Sequence, residues 1–431
     1  MSDPPASHLP VKYYLQDRDI GTRPTRIVRG VILVIYLTAH LVAAAGKAYR
    51  TPDTDSYFHL SFVGHSMRGW TVPLLYAISH NGTELVVVQC VIASICWAAL
   101  AWQVAIGCYH RWVGYSVGAG VLVLGLTEQI AGWNSILGSE SLSISLAAAV
   151  IAASIALLQA PTTPRAIVWL TTFTLWIFTR QLNMTVCVFI LLALFAISIT
   201  SRNRVLLGMS GILVLLTAWT LPYVTNSRSP IAEYNRMQVV VERGYRHPAL
   251  LDYFEASGMP DSTQVRSLHG YLASSSAPIM RDKTLRDWLR LHFLGTYLGF
   301  CRSHPWWFLT GPIADVESRL LSPNNNLHRY RPVVPTPVAN LVSGPEKYTA
   351  VEFVLAGIMV AVSGIRRGPD SRMLLAGAVV TTVYLLLMAG WHLSVKNSIR
   401  VNSTAAAAVR ILPIIVAAWS LDRLLTPAKV K

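Results

Sequence analysis

Residues 84–107 read ELVVVQCVIASICWAALAWQVAIG, with one acidic residue at the first position and no basic residue. A helix of about 20 apolar residues crosses the hydrocarbon core of a bilayer. The run therefore predicts a transmembrane helix. The whole chain agrees, because 53% of its 431 residues are hydrophobic and 13% are charged, whereas about 25% are charged in an ordinary soluble domain.

Similar apolar runs recur on both sides of this stretch. They predict about ten spans, near 27–45, 84–107, 113–132, 141–159, 166–179, 184–200, 205–223, 349–365, 373–391 and 403–421. The fifth and sixth spans are short and meet at FTRQLN (178–183), so a single kinked hairpin is an alternative for this pair. The fold class predicted is an all-α polytopic membrane protein.

Basic residues in the short connections predict the orientation of the spans. Those that fall on one side are Lys12, Arg18, Arg23, Arg26, Arg29, Arg111, Arg165, Arg202, Arg204, Arg366, Arg367, Arg372, Arg423, Lys429 and Lys431. We expect this side to be cytoplasmic, with both termini, in a multi-pass protein of the cell membrane. Topology and anionic lipid account for much of the net charge of +15, so we do not expect nucleic acid as a partner.

The predicted spans divide the chain into five parts. We expect a cytoplasmic tail (1–26), a membrane module (27–223) with its first outer loop at 46–83, an extracytoplasmic insertion (224–348), C-terminal membrane helices (349–421) and a second cytoplasmic tail (422–431). The insertion is far longer than an ordinary connection, and such segments are usually functional or disordered. Its HPWWFL segment (304–309) is typical of an interfacial helix on the membrane surface.

The orientation can be tested with a cysteine placed at Ser262, inside the insertion. A membrane-impermeant thiol reagent should label this site in intact cells, because the charge pattern places the insertion outside. The measurement is the extent of labelling before and after lysis. Labelling that requires lysis would overturn the predicted topology.

An acid pair, Asp53 and Asp55, lies in TPDTDSYFHL (51–60), shortly after the first span. A carboxylate at the membrane surface suits a general base, which can act on a polar acceptor while the lipid tail of a donor stays in the bilayer. Helix capping is the alternative, because aspartate commonly caps helices and the following residues allow an amphipathic helix on the bilayer. Both roles can coexist in neighbouring acids.

Other candidates for substrate binding cluster at the predicted outer ends of the spans. Glu140 lies in WNSILGSESLS (133–143), where Ser139 or Ser141 could cap the next helix and a first-turn glutamate would also favour the helix dipole. Arg180 occupies the FTRQLN turn. The remaining candidates are Lys396, Arg400, Arg410 and His304.

Arg410 falls about seven residues into the last span, which is costly unless the side chain meets an anion, an acid or a wet cavity. The planar guanidinium fork fits a phosphate group, because it can bind two oxygens at once. Snorkelling to the interface is the alternative for Lys396 and Arg400. Simple solvation is the alternative for His304.

The order of motifs resembles the polytopic GT-C glycosyltransferases. These motifs are PDTDSYFHL (52–60) after the first span, RGWTVPLLYAIS (68–79) before the second and LGSESLSISLAAAV (137–150) at the start of the fourth. The resemblance covers roughly the first 200 residues. The group includes protein O-mannosyltransferases and actinobacterial cell-wall mannosyl- and arabinosyltransferases.

The resemblance implies a donor sugar on a polyprenyl phosphate and transfer to an extracytoplasmic glycan, glycolipid or protein. The essential acid of the family maps onto Asp55, or onto Asp53 if the register differs by two. Metal-binding members carry a further acidic pair in the second outer loop, where this chain has only Glu140. No cofactor is therefore predicted, and a divalent metal stays an alternative that these residues do not indicate. Inverting displacement would follow, with arginine or lysine stabilising the leaving phosphate.

Two alternatives come from other functional classes. A transporter or flippase of a lipid-linked substrate would be expected to show repeated halves and glycine- or proline-broken helices in corresponding positions, and the sequence shows neither. A non-catalytic membrane assembly subunit, with the acids as helix caps, is compatible with the sequence.

Overall fold

The computed structural model describes residues 26–44, 48–51, 54–62, 68–79, 81–201, 204–225, 230–260, 263–270, 272, 277–314, 330–343, 355, 357–359, 362, 371–393 and 403–426. Over these residues the chain is helical, apart from turns and one pair of two-residue strands. The predicted all-α architecture is therefore observed in the described part.

The described part of the N-terminal half contains nine α-helices. They are α1 Arg26–Ala43, α2 Thr71–Tyr76, α3 Gly82–Gly107, α4 Arg111–Gly125, α5 Glu128–Ala131, α6 Glu140–Gln159, α7 Thr163–Ile177, α8 Gln181–Ser201 and α9 Arg204–Thr225. The insertion contains α10 Pro230–Gln238, α11 Gly244–Arg246, α12 Pro248–Ala256, α13 Thr263–Ser267, α14 Lys283–Ser303, α15 Pro305–Ala314 and α16 Thr336–Ser343. Among the described residues that follow are the long helices α17 Ser371–Leu393 and α18 Ser403–Leu425.

A helix occupies each predicted span except 349–365, most of which lies outside the described residues. By length and apolar composition, four helices of the described part can cross a membrane: Gly82–Gly107, Glu140–Gln159, Val205–Pro222 and Ser403–Leu425. The pair Arg111–Gly125 and Glu128–Ser135, bent by 51°, would make a fifth. A membrane protein is thus supported, while the count of ten spans is not confirmed. At FTRQLN the structure has two helices, α7 and α8, joined by a short turn.

Close packing joins the helices of the membrane module. α3 packs against α1, α4 and α6, and α18 packs against α4, α6 and α17. Gly114 of α4 lies directly on the Ala105 carbonyl of α3, where an added Cβ would be 2.4 Å from the oxygen. Small residues at such crossings let membrane helices approach closely, and this contact requires one.

A buried aspartate, Asp422, holds the C-terminal end of α18 in place. Asp422 accepts hydrogen bonds from the backbone N–H groups of Tyr109 (2.6 Å) and His110 (2.7 Å), in the turn between α3 and α4. These N–H groups stand at the start of α4, where a carboxylate also favours the helix dipole. The C-terminal end of α18 is therefore joined to the turn between α3 and α4.

The described part of the insertion has a hydrophobic core of its own. Helices α10, α12 and α14 contribute buried side chains that include Phe254, Trp288, Phe293 and Phe300. Asp282 begins α14 by accepting a hydrogen bond from the Leu285 N–H at 3.1 Å. The insertion therefore contains an ordered helical unit, as its amphipathic sequence stretches predict.

This helical unit contacts the end of α17 through aromatic and polar side chains. The guanidinium of Arg243, in the π-helical segment Val239–Arg243, lies 3.8 Å over the Trp391 ring. The Tyr297 hydroxyl lies 2.6 Å from His392 Nδ1. The contacts are buried, so they join the insertion to the membrane helices.

The described residues between α1 and α3 fold back onto the helix bundle. Tyr49–Arg50 pairs in parallel with Ile136–Leu137, and a 3₁₀-helix covers Thr54–Phe58. A continuous amphipathic helix on the bilayer, expected after Asp55, is not observed in the described residues, since α2 is short and largely buried. Gly69 lies against the end of α7, where an added Cβ would be 2.0 Å from the Phe178 carbonyl oxygen.

Candidate functional site

Asp55 lies on the Thr54–Phe58 3₁₀-helix, between two residues that point inward. The Thr54 hydroxyl donates to the Leu137 carbonyl at 2.7 Å, and the Tyr57 hydroxyl donates to Ser139 Oγ at 3.1 Å. Thr54 and Tyr57 are buried, whereas 86% of the Asp55 side chain is exposed. The carboxylate is therefore held on a fixed backbone and faces the solution.

Among the described residues, the Asp55 carboxylate makes one contact, an ion pair with Arg50 at 3.8 Å. No described backbone N–H donates to it, so the capping role is not observed for Asp55 in this part of the chain. Arg68 adds a second guanidinium to the same turn: its Nε donates to Ser56 Oγ at 2.9 Å. Asp53 lies outside the described residues.

A second group of polar residues lies at the ends of the helices next to this turn. Glu140 is the first residue of α6 and is buried. Arg180, in the turn between α7 and α8, places Nη2 at 3.8 Å from Glu140 Oε1 and donates from Nη1 to Ser403 Oγ at 2.8 Å. One guanidinium therefore connects the start of α6, the α7–α8 turn and the start of α18.

Neutral side chains extend this group. The Asn183 side chain donates to Ser143 Oγ at 2.9 Å and to Thr179 Oγ1 at 3.0 Å. Ser143 Oγ in turn lies 2.7 Å from Thr404 Oγ1. Because buried polar groups are costly unless they are paired, these bonds hold α6, α8 and α18 in one arrangement at this end of the bundle.

The same end of α6 is also tied to α1. The Ser141 hydroxyl donates to Asn134 Oδ1 at 2.6 Å, and Asn134 Nδ2 lies 3.0 Å from His40 Nδ1. The helix-capping role expected of Ser139 is wrong, since this side chain makes no capping bond and accepts from Tyr57 instead. Glu140 is nevertheless a first-turn residue, where the helix dipole favours it.

Tyr76 completes the buried side of the group. Burial raises the pKa of its hydroxyl, and the nearby Tyr57 and Glu140 raise the pKa further. A phenol close to a buried carboxylate stays protonated, because ionisation would place two negative charges together. Tyr76 is therefore a neutral wall of the site.

The other predicted residues lie elsewhere. Arg410 is buried about two turns below Ser403 and donates to the Ala406 carbonyl of its own helix at 3.0 Å. His304 stacks on Phe300 with ring centroids 4.2 Å apart, within the insertion. The described contacts do not bring His304 to Glu140 or Arg180. Lys396 and Arg400 lie outside the described residues.

The sequence-based prediction missed several members of the site. They are His40, Tyr57, Tyr76, Asn134, Ser403 and Thr404. The available signal was a hydroxyl, amide or imidazole group within a predicted span or in a loop beside one, but such a group does not indicate which neighbouring helix it meets. Among the described residues, no group of three or more His, Cys, Asp and Glu side chains could hold a metal ion.

These features define a helical membrane protein with a group of buried polar side chains at the end of the bundle where α6 and α18 begin. No protein-family model matches the chain, and no curated protein sequence matches it. Among solved structures, the archaeal oligosaccharyltransferase AglB from Archaeoglobus fulgidus, in complex with an inhibitory peptide and a dolichol-phosphate, aligns with a TM-score of 0.41 and 10% identity. The alignment covers 90% of this chain and 50% of the AglB chain, so this protein spans about half the length of AglB. A similarity of this size assigns no family or activity.

Proposed function

We propose that the protein is a membrane glycosyltransferase that moves a sugar from a polyprenyl-phosphate donor to an extracytoplasmic glycan, glycolipid or protein. The observation that carries the proposal is the placement of Asp55. Its carboxylate faces the solution, while Thr54 and Tyr57 anchor the backbone on both sides of it to the segment that leads into Glu140. A general base requires such a rigid support together with access to a polar acceptor.

In this proposal Asp55 accepts the proton of the acceptor hydroxyl as the oxygen attacks the anomeric carbon. The bond between that carbon and the donor phosphate oxygen breaks, and the phosphate leaves with the electron pair. Attack from the face opposite to the leaving group inverts the anomeric configuration. The acid therefore acts directly on the reacting oxygen.

Among the described residues, we assign Arg180 as the cation that stabilises the leaving phosphate. It is oriented by Glu140 and Ser403, and a fixed guanidinium stabilises developing charge without reorganisation. Glu140 is then a positioning residue for Arg180. Lys396, Arg400 and Arg410 remain further proposed contacts of the phosphate, and His304 a proposed contact of the acceptor.

The proposal is tested with the full chain reconstituted in vesicles. A polyprenyl phosphate carrying a radiolabelled sugar is supplied, together with an extract of the source membranes as acceptor. We expect the label to pass to the acceptor and polyprenyl phosphate to be released. Movement of intact donor across the bilayer would indicate a flippase, and an unchanged donor on its original side would indicate a non-catalytic subunit. Either result contradicts the proposal.

A further inference from the structure

The insertion carries an apolar surface that its own core does not use. On α14, Leu291, Leu294 and Leu298 are 69%, 62% and 54% exposed. Their spacing of three and four residues places them on one face of the helix, which we call the leucine stripe. The opposite face of α14 supplies the core of the insertion. The stripe is therefore not explained by folding of the insertion alone.

Helix α15 adds a second apolar face. Trp306 is 77% exposed, and Leu309 and Ile313 are exposed as well. These residues also follow a helical spacing, so they project from one side of α15. α14 and α15 are consecutive and pack against each other. Contiguous exposed apolar surface of this kind marks an interaction site.

The position of α15 beside α17 indicates what covers this surface. The Tyr384 hydroxyl of α17 donates to the Leu309 carbonyl at 2.8 Å, and the Phe308 ring stacks on His392 with centroids 4.6 Å apart. Tyr384 lies nine residues before the end of α17, or about 13 Å along the helix. α15 therefore lies beside the last turns of an apolar helix.

Length and charge also fit lipid. α15 has ten residues and is about 15 Å long, half of what a span requires, so it can enter one leaflet only. Two exposed basic residues, Arg290 and Arg302, stand at the two ends of the leucine stripe, and Arg290 also pairs with Asp287 at 3.5 Å. Basic residues beside an apolar helix face are typical of helices that lie in the interface and meet anionic headgroups.

We propose that α14 and α15 form a lipid-binding wedge, which seats the insertion in the leaflet on its own side of the membrane. Acyl chains cover the leucine stripe and the exposed face of α15, while lipid phosphates bind near Arg290 and Arg302. The wedge extends the interfacial role expected of HPWWFL to a second helix. It does not depend on the proposed glycosyl transfer.

The test places a cysteine at Leu294 or Leu298 of the full chain and labels it with an environment-sensitive fluorophore. The native cysteines among the described residues are buried. Burial also raises the pKa of the Cys301 thiol, the one on α14, to about 11, so it reacts slowly at neutral pH. The parent chain measures the background. Ala256→Cys, on the exposed surface of α12, is the matched control.

The labelled variants are reconstituted in vesicles of phosphatidylcholine and phosphatidylglycerol. We expect blue-shifted emission at Leu294→Cys and Leu298→Cys, strong quenching by brominated lipid and little quenching by aqueous iodide. Ala256→Cys should show the reverse. Quenching by iodide at the stripe as strong as at the control would overturn the proposal. Blue-shifted emission without quenching by brominated lipid would mean that protein covers the stripe, which also overturns it.

Discussion

Replacing Asp55 by asparagine is expected to lower sugar transfer by roughly 10²- to 10⁴-fold, the usual contribution of acid–base catalysis. The amide keeps the shape of the side chain but does not accept the proton of the acceptor. Folding should be retained, because the side chain is 86% exposed and its described contact is an exposed ion pair with Arg50. The measurement is the initial rate of transfer from radiolabelled donor, with donor binding measured separately.

Asp252→Asn is the matched control for this change. Asp252 is also an exposed aspartate with an arginine partner, Arg266, at 3.0 Å, and it lies in the insertion. The rate of sugar transfer by Asp252→Asn should equal that of the parent chain. Loss of transfer in Asp53→Asn with full activity in Asp55→Asn would move the base by two residues. Full activity in both variants would exclude the mechanism proposed above.

The second large effect concerns the buried pair of Glu140 and Arg180. Arg180→Gln leaves the carboxylate of Glu140 in a buried position without this guanidinium. Removing one partner of a buried ion pair costs about 3–5 kcal/mol of stability. We therefore expect a large loss of thermal stability in detergent, and a loss of transfer with it. Loss of activity in this variant alone does not separate the two causes.

The double variant Glu140→Gln with Arg180→Gln separates them. Removing both charges of a buried pair is often nearly neutral for stability, so the double variant should recover most of the lost thermal stability. If Arg180 stabilises the leaving phosphate, the transfer rate of the double variant should stay low. Recovery of both stability and transfer would show that the pair is only structural.

Arg266→Gln provides the control for the stability measurement. Arg266 pairs with Glu255 at 2.8 Å, and both side chains are substantially exposed. Exposed pairs contribute roughly 0–1 kcal/mol, so this variant should change the unfolding temperature little. A cost equal to that of Arg180→Gln would mean that burial of the Glu140 pair has no special effect.

The positions of the helices could be predicted from the sequence. Apolar runs of about 20 residues leave the chain little choice, because every backbone N–H and C=O group in a bilayer must be paired within the segment. The structure has a helix at each predicted span that it describes. The sequence also pointed to Asp55, Glu140 and Arg180, because charged residues stand out near the ends of apolar runs.

Which side chains contact each other could not be predicted from the sequence. Arg180 meets Ser403, which is 223 positions away, and Tyr57 meets Ser139, which is 82 positions away. A serine or tyrosine near a helix end does not indicate which helix it will face. That choice depends on the rotation and crossing of whole helices, and these are set by close contacts such as Gly114 against the Ala105 carbonyl.

The chain by itself therefore determined that the protein is helical, apolar and charged at the ends of its helices. Only the tertiary structure decided that Asp55 faces the solution, that Glu140 and Arg180 are buried together and that α14 and α15 expose an apolar surface beside α17. The physical reason is the range of the forces involved. Backbone hydrogen bonds in a helix are local, whereas the packing that orients side chains joins segments far apart in the sequence.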